Sequence, residues 1–196
     1  MKIKKKYLEK FVGITPIDYK KLEDELARKN GIICYQLDVD TEDFPFEDNF
    51  FDAVIALELI EHLYDPDHFL EEVYRVLKPS GYFILSTPNL ASIHNRIALL
   101  FGFQPFSMNP SHRFRIGHIT DTFRLHKYDP DMGVKREFDH IRLFTYRALK
   151  DLLKRYGFKV IKSYGAKAET AVLKTWIAKI FKCNRKLYMY FSFFVV

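Results

Sequence analysis

The sequence predicts an α/β fold with a mostly parallel sheet covered on both faces, and two features of residues 50–89 carry that prediction. The first is a nearly continuous apolar run, Phe51, Ala53, Val54, Ile55, Ala56 and Leu57, the pattern of a strand buried on both sides. The second is the return of an apolar strand, Tyr82 to Thr87, after a single helix-length segment. A strand–helix–strand crossover of this length is a parallel unit, right-handed almost without exception. Ligands of open parallel sheets lie beyond the carboxyl ends of the strands, so Glu58 to His62 and Thr87 to Asn89 are expected to face a site.

From the N-terminus, Lys10 to Thr15 is a short apolar strand ending in a turn at Pro16. Asp18 caps a predicted helix over Tyr19 to Lys29, with Leu22 and Leu26 on one face, and Asn30-Gly31 stops it. Ile32 to Leu37 is the next strand and ends in Asp38-Val39-Asp40; Glu42 to Asn49 leads into the central unit. Within that unit Asp65 caps a helix that starts with Pro66, and Phe69, Val73, Val76 and Leu77 recur at helical spacing. Lys78-Pro79-Ser80-Gly81 ends the helix and turns the chain, and Pro88-Asn89 stops the strand that follows.

Residues 90–140 are too long and too irregular for a simple connection. Leu90 to Phe101 predicts a helix with Asn89 or Ser92 near its start and Gly102 at its end. Gln104 to Asp139 interleaves Pro, His, Asn, Arg and aromatic residues. Thr145 caps a helix over Tyr146 to Tyr156, with Leu149, Leu152 and Leu153 on one face; Gly157 closes it and Phe158 to Tyr164 is a strand. Glu169 to Phe181 has mixed apolar and basic helical character. Leu187 to Val196 is strongly β-prone and is read as a final strand, since it is too short to span a membrane.

A chain of 196 residues with 48% hydrophobic residues fits one globular domain and excludes a disordered chain. The net charge of +6 comes partly from Lys2, Lys4, Lys5 and Lys6, a solvated tail. Two cysteines, Cys34 and Cys183, offer neither a disulfide framework nor a metal spacing, which favours a reduced, cytoplasmic setting. No apolar run has the length of a membrane span, no secretory leader opens the chain, and no internal repeat is present.

Two groups of polar residues bear on chemistry. His62 follows Glu61 beyond a strand's carboxyl end, where an imidazole can line a site or take a proton from a hydroxyl at neutral pH. At helical spacing Glu58 and His62 would simply pair. His112, His118, His126 and His140 lie in or beside the long insertion, but their spacings match no metal template, so no metal is expected and surface histidines are the plain reading. Arg113, Arg115, Arg124, Lys127, Lys135 and Arg136 make the insertion basic, suited to an anionic acceptor or simply to solvent.

Phe51-Asp52, Glu61-His62-Leu63, Asp65-Pro66, Arg75-Val76-Leu77-Lys78-Pro79, Gly81 and Ser86-Thr87-Pro88-Asn89, in this order and spacing, resemble class I S-adenosylmethionine-dependent methyltransferases. The nearest group includes the ubiquinone-biosynthesis O-methyltransferases, and the resemblance runs from about Phe11 to Phe158. It implies a Rossmann-like sheet of strand order 3-2-1-4-5-7-6 in that family's numbering, with residues 90–140 as a substrate lid after strand five. Asp38 then accepts from the adenine amino group while the Val39 N–H points at the ring. Thr15 stands where a ribose-gripping carboxylate is usual, and Leu57 and Glu58 complete the expected cofactor contacts. Thr15 offers one hydrogen bond where the carboxylate offers a charged bidentate pair.

By the same comparison the family's first strand and Gly-rich loop are missing, because only Met1 to Glu9 precede the second strand. Residues 1–196 are therefore expected to form a single, N-terminally incomplete domain. The implied activity is methyl transfer from S-adenosylmethionine to a small-molecule acceptor, with His62 as the catalytic candidate. A non-catalytic methyltransferase-like domain, completed by a missing segment or by a partner chain, is the second expectation. An RNA-binding protein is the third; no RNA-reading motif accompanies the basic insertion, so nucleic acid is not the expected partner.

Overall fold

Strands β3 (Phe51–Leu57) and β4 (Leu77–Pro88) run parallel, with Ala53 opposite Tyr82 and Leu57 opposite Ser86, and helix α1 (Pro66–Val76) crosses between them. This computed structural model describes residues 12–15, 33–111, 116–119, 140–166 and 190–195. They fall into two compact units, residues 1–46 and 47–196. In the first, β1 (Val12–Thr15) pairs parallel with β2 (Ile33–Gln36). In the second, four strands lie in the order β3-β4-β6-β5, where β5 is Val160–Ala166 and β6 is Tyr190–Val195. β6 is antiparallel to both of its neighbours. The expected helix over residues 19–29, the segment 169–181 and most of the insertion's middle lie outside the described residues.

The helices begin where their caps stand. Asp65 accepts hydrogen bonds from the N–H groups of Asp67 (3.1 Å) and His68 (3.0 Å), and Pro66 occupies the first turn, where its missing N–H costs nothing. Ser92 caps α2 (Ile93–Leu100) by accepting from Asn95 N, and Thr145 caps α3 (Tyr146–Arg155) by accepting from Ala148 N. Gly157 follows α3 at φ +85°, and an added Cβ would lie 2.8 Å from Tyr74 Cε2. Both its conformation and the close approach therefore require glycine.

The core of this unit forms on one face of the sheet. Phe83 is fully buried between Phe69 of α1 and Phe158, with ring centroids 6.3 and 5.3 Å away; Leu70, Val73, Val76, Leu149 and Leu153 are also fully buried. On the opposite face Ile55, Leu57 and Tyr82 are more than half exposed. The expectation of a strand covered on both sides therefore fails for β3. It is an edge strand among the described residues, and side chains on one face only lie against the core.

The expected turn at Lys78–Gly81 is absorbed into β4. Phe51 pairs with Leu77, the register then shifts, and Ser80 takes φ +66°. A Cβ at Gly81 would meet Lys78 O at 2.9 Å, so the irregularity needs glycine there. No helix among the described residues is long and apolar enough to cross a membrane.

Candidate functional site

At the carboxyl end of β3 the chain leaves the sheet through Glu58, which adopts φ +53°. Its N–H donates to Ser86 O (3.0 Å) and its Oε1 accepts from Ser86 Oγ (2.7 Å), so β4 holds the departing backbone in place. A single 3₁₀ turn, Ile60–His62, follows, and the α-helical geometry in which Glu58 and His62 would pair does not form. Ile60 and Glu61 are fully buried in this turn.

Glu61 is the centre of the cluster. Its Oε2 accepts from the buried Thr87 Oγ1 at 2.9 Å, while its Oε1 is buried without a hydrogen-bond partner. Burial pushes its pKa up to about 7, and the neighbouring Glu58 carboxylate pushes in the same direction. Glu58 is also raised, chiefly by burial and against the stabilising bond from Ser86.

The insertion returns onto this turn. The Glu61 carbonyl accepts from the N–H groups of Ile141 (3.0 Å) and Arg142 (3.2 Å), and Arg142 Nη2 donates to Tyr64 O (2.8 Å). This docking brings His140 against His62, with ring centroids 4.7 Å apart at 68°. It also sets His140 Nε2 3.9 Å from Glu61 Oε1. His140 Nδ1 meets Ser107 O; a carbonyl only accepts, so Nδ1 carries the proton. The insertion's outgoing end is anchored as firmly. Leu90 N donates to Phe144 O (3.0 Å), and the buried Asn95 donates to Asn89 O (3.0 Å) while accepting from Phe106 N (2.9 Å).

Of the residues expected from sequence, Leu57, Glu58 and His62 meet at this strand end, where Leu57 is 60% exposed. Asp38 and Val39 belong to the first unit, just past β2. Asp38 Oδ1 accepts from Asp40 N (3.1 Å) and Oδ2 from Thr41 Oγ1 (2.9 Å), and Val39 is buried. Thr15 is the last residue of β1, opposite Gln36.

Glu61 lay in the stretch expected to face a site but was given no role of its own, and His140 was expected to be an ordinary histidine of the insertion. Glu61 carried a weak signal, its adjacency to His62. His140 carried none, because 78 residues of sequence separate it from its partner and only the docked insertion joins them. Glu61, His62 and His140 place one ligand atom each within 4.8 Å of one another, a grouping that spacing along the chain cannot reveal.

This architecture is that of the α/β methyltransferases. An S-adenosylmethionine-dependent methyltransferase from Mesorhizobium loti superimposes with a TM-score of 0.57 at 18% identity, over 95% of this chain and 79% of its own. Residues 4–85 match the family described as "Methyltransferase domain". Over that stretch the chain is similar to S-adenosylmethionine-dependent methyltransferases. Among curated relatives, the ubiquinone/menaquinone biosynthesis C-methyltransferase of Geotalea daltonii is 32% identical over 134 residues, 63% of this chain and 53% of that protein. A sterol methyltransferase-like protein of Botryococcus braunii is 30% identical over 141 residues, 72% of this chain and 29% of its own length. The chain spans about half the length, or less, of such relatives.

Proposed function

We propose that this chain carries the donor and acceptor surfaces of an S-adenosylmethionine-dependent methyl transfer to a small-molecule acceptor in a reduced, cytoplasmic setting. Asp38, Val39 and Thr15 would contact the donor's nucleoside, with Leu57 and Glu58 at its methyl-bearing end. Residues 90–140 would form the acceptor lid. The carrying observation is the docked strand end, where a buried carboxylate and two imidazoles are held by both the sheet and the returning insertion.

S-adenosylmethionine, when bound, supplies an electrophilic methyl group on a sulfonium. The chain's part is to hold an acceptor in line with that methyl, which accounts for most of what such a reaction needs. A hydroxyl or amine acceptor methylated there would give up its proton, and the chain would have to supply a base for it. His62, in ring contact with His140, would line the acceptor and receive that proton. Exposed Leu57 offers apolar contact, and the Asp38 carboxylate retains acceptor capacity for an amino group, so the residues present fit such a donor.

A specific observation favours a second reading, a domain that works only when completed by a further strand. β3 is an open parallel edge, and Ile55 and Leu57 beside it are 54% and 60% exposed. The two-sheet arrangement, β1-β2 and β3-β4-β6-β5, is also what the family order leaves when its first strand is taken out. Isothermal titration of this chain with S-adenosylmethionine separates the readings. Binding weaker than about 1 mM is expected under the second reading. Low-micromolar binding would establish a self-sufficient donor site and remove the second reading.

A further inference from the structure

We propose that the outer face of α2 is a docking surface for another part of the same chain, the amphipathic segment 169–181. The helix is built inside out. Its inward positions are polar or small: Ser92, Asn95 and Ala98 are buried, and Asn95 spends its side chain on Asn89 O and Phe106 N. Its outward positions are apolar. Ile97, Leu100 and Phe101, at i, i+3 and i+4, are 40%, 78% and 67% exposed, and Leu99 beside them is 51% exposed. A surface helix ordinarily turns its apolar stripe towards the core. Here hydrogen bonds hold the helix to the protein, and the stripe is left for a partner.

Three observations select that partner. The first is pattern. Leu173, Trp176, Ile177 and Ile180 recur at i, i+3, i+4 and i+7, while Lys174, Lys179 and Lys182 fall on the other side of the same helical wheel. This is the spacing by which an amphipathic helix meets an apolar surface. The second is the tether. Tyr190 pairs with both Pro88 and Ala166, so residues 167–189 leave and re-enter the sheet beside the end of β4. α2 starts at Ile93, within about 18 Å of Pro88 even along a fully extended chain. A helix over residues 169–181 would span about 20 Å, and residues 182–189 reach up to about 28 Å, enough to return.

The third is size and charge. Four exposed side chains fall well short of the roughly 20–30 residues a side that join separate molecules stably. A tethered segment needs less surface, because the chain itself sets its effective concentration. Arg96 is the only Lys or Arg of α2, and its Nε donates to Ala91 O. The helix therefore lacks the row of cations that draws a helix onto an anionic membrane. This docking does not depend on methyl transfer.

Trp176 is the only tryptophan of the chain, so its emission reports the contact directly. In the full chain, without methyl donor or acceptor, emission is expected to lie to the blue of N-acetyltryptophanamide, with acrylamide quenching several-fold weaker. Neither should change on dilution or on addition of phosphatidylglycerol vesicles. Leu100→Asp should shift the emission to the red and restore quenching to the free value. Ile55→Asp, on the exposed face of β3, should leave both unchanged. Should Leu100→Asp fail to fold, nuclear Overhauser contacts between the Trp176 ring and the Leu100 or Ile97 methyls test the same pairing in the unsubstituted chain. Emission like that of the free indole in the parent overturns the proposal. A blue shift that needs vesicles assigns the segment to a membrane, and one lost on dilution assigns it to a second copy; either overturns docking within the chain. So does a red shift in Ile55→Asp with none in folded Leu100→Asp, or the absence of those methyl contacts.

Discussion

Two carboxylates stand just past the carboxyl ends of parallel strands in this molecule, and their surroundings are opposite. Asp38, after β2, spends both oxygens on its own turn, accepting from Asp40 N and Thr41 Oγ1. Glu61, after β3, is fully buried, has one oxygen bonded to Thr87 and leaves the other without a partner. A turn carboxylate of the first kind stabilises local backbone whatever else it binds. One of the second kind is a net cost to the fold until a proton or a cation reaches it. Position after a strand thus tells where a ligand can lie, while hydrogen-bond satisfaction tells which residue still awaits one.

The sharpest way to break this contrast is pH. Burial holds the Glu61 pKa at about 7 in the folded chain against an ordinary 4.5, so folding favours the protonated carboxyl. The stabilisation is fully present below about pH 4.5 and is lost as pH rises through 7. It is worth at most about 3 kcal/mol. Urea unfolding in chelator at pH 5 and pH 8 should show this loss. Glu61→Gln, which keeps an acceptor for Thr87, should flatten the profile by up to that amount. A parent profile as flat as the variant's would make Glu61 an ordinary carboxylate.

The parts legible in the sequence were those with local causes. The Asp65-Pro66 and Thr145 helix starts follow from capping chemistry that a few residues encode, and both caps form as expected. The β3–α1–β4 crossover follows from apolar runs and their spacing. The parts that were illegible depend on distant contacts. The exposed face of Ile55, Leu57 and Tyr82 reflects what does not pack on β3, which no residue of β3 records. His140 looked like a surface histidine because its role depends on the Glu61 carbonyl accepting from Ile141 and Arg142. Even Lys78-Pro79-Ser80-Gly81, a turn by composition, is carried into β4 by the pairing of Leu77 with Phe51.

A smaller effect sharpens the Glu61 side of the comparison. Thr87 is fully buried, and Val has nearly its shape without the hydroxyl. Thr87→Val therefore leaves Glu61 Oε2 as well as Oε1 unbonded, at an expected cost of about 1–3 kcal/mol at neutral pH. The loss should shrink in acid, where a protonated Glu61 asks less of its neighbours. Chemical unfolding at pH 5 and pH 8 measures both numbers, and equal losses at the two values would show that the hydroxyl serves packing rather than the carboxylate.

The smallest effect on stability belongs to Asp38, and it decides whether that residue has a second role. Its bonds to Asp40 N and Thr41 Oγ1 lie in exposed or partly exposed surroundings, so water replaces them readily. Asp38→Ala should cost the fold only about 0.5–1 kcal/mol. If Asp38 also accepts from an adenine amino group, the same substitution should remove about 1–3 kcal/mol of donor affinity, the scale of a charged hydrogen bond. Each carboxylate oxygen has a second lone pair, so the turn bonds and a nucleoside contact are compatible. Calorimetry on a donor-binding form of the protein separates the two roles, because the turn contributes to stability and the adenine contact to affinity. Stability lowered with donor affinity unchanged would return Asp38 to the turn alone and leave donor recognition to other groups.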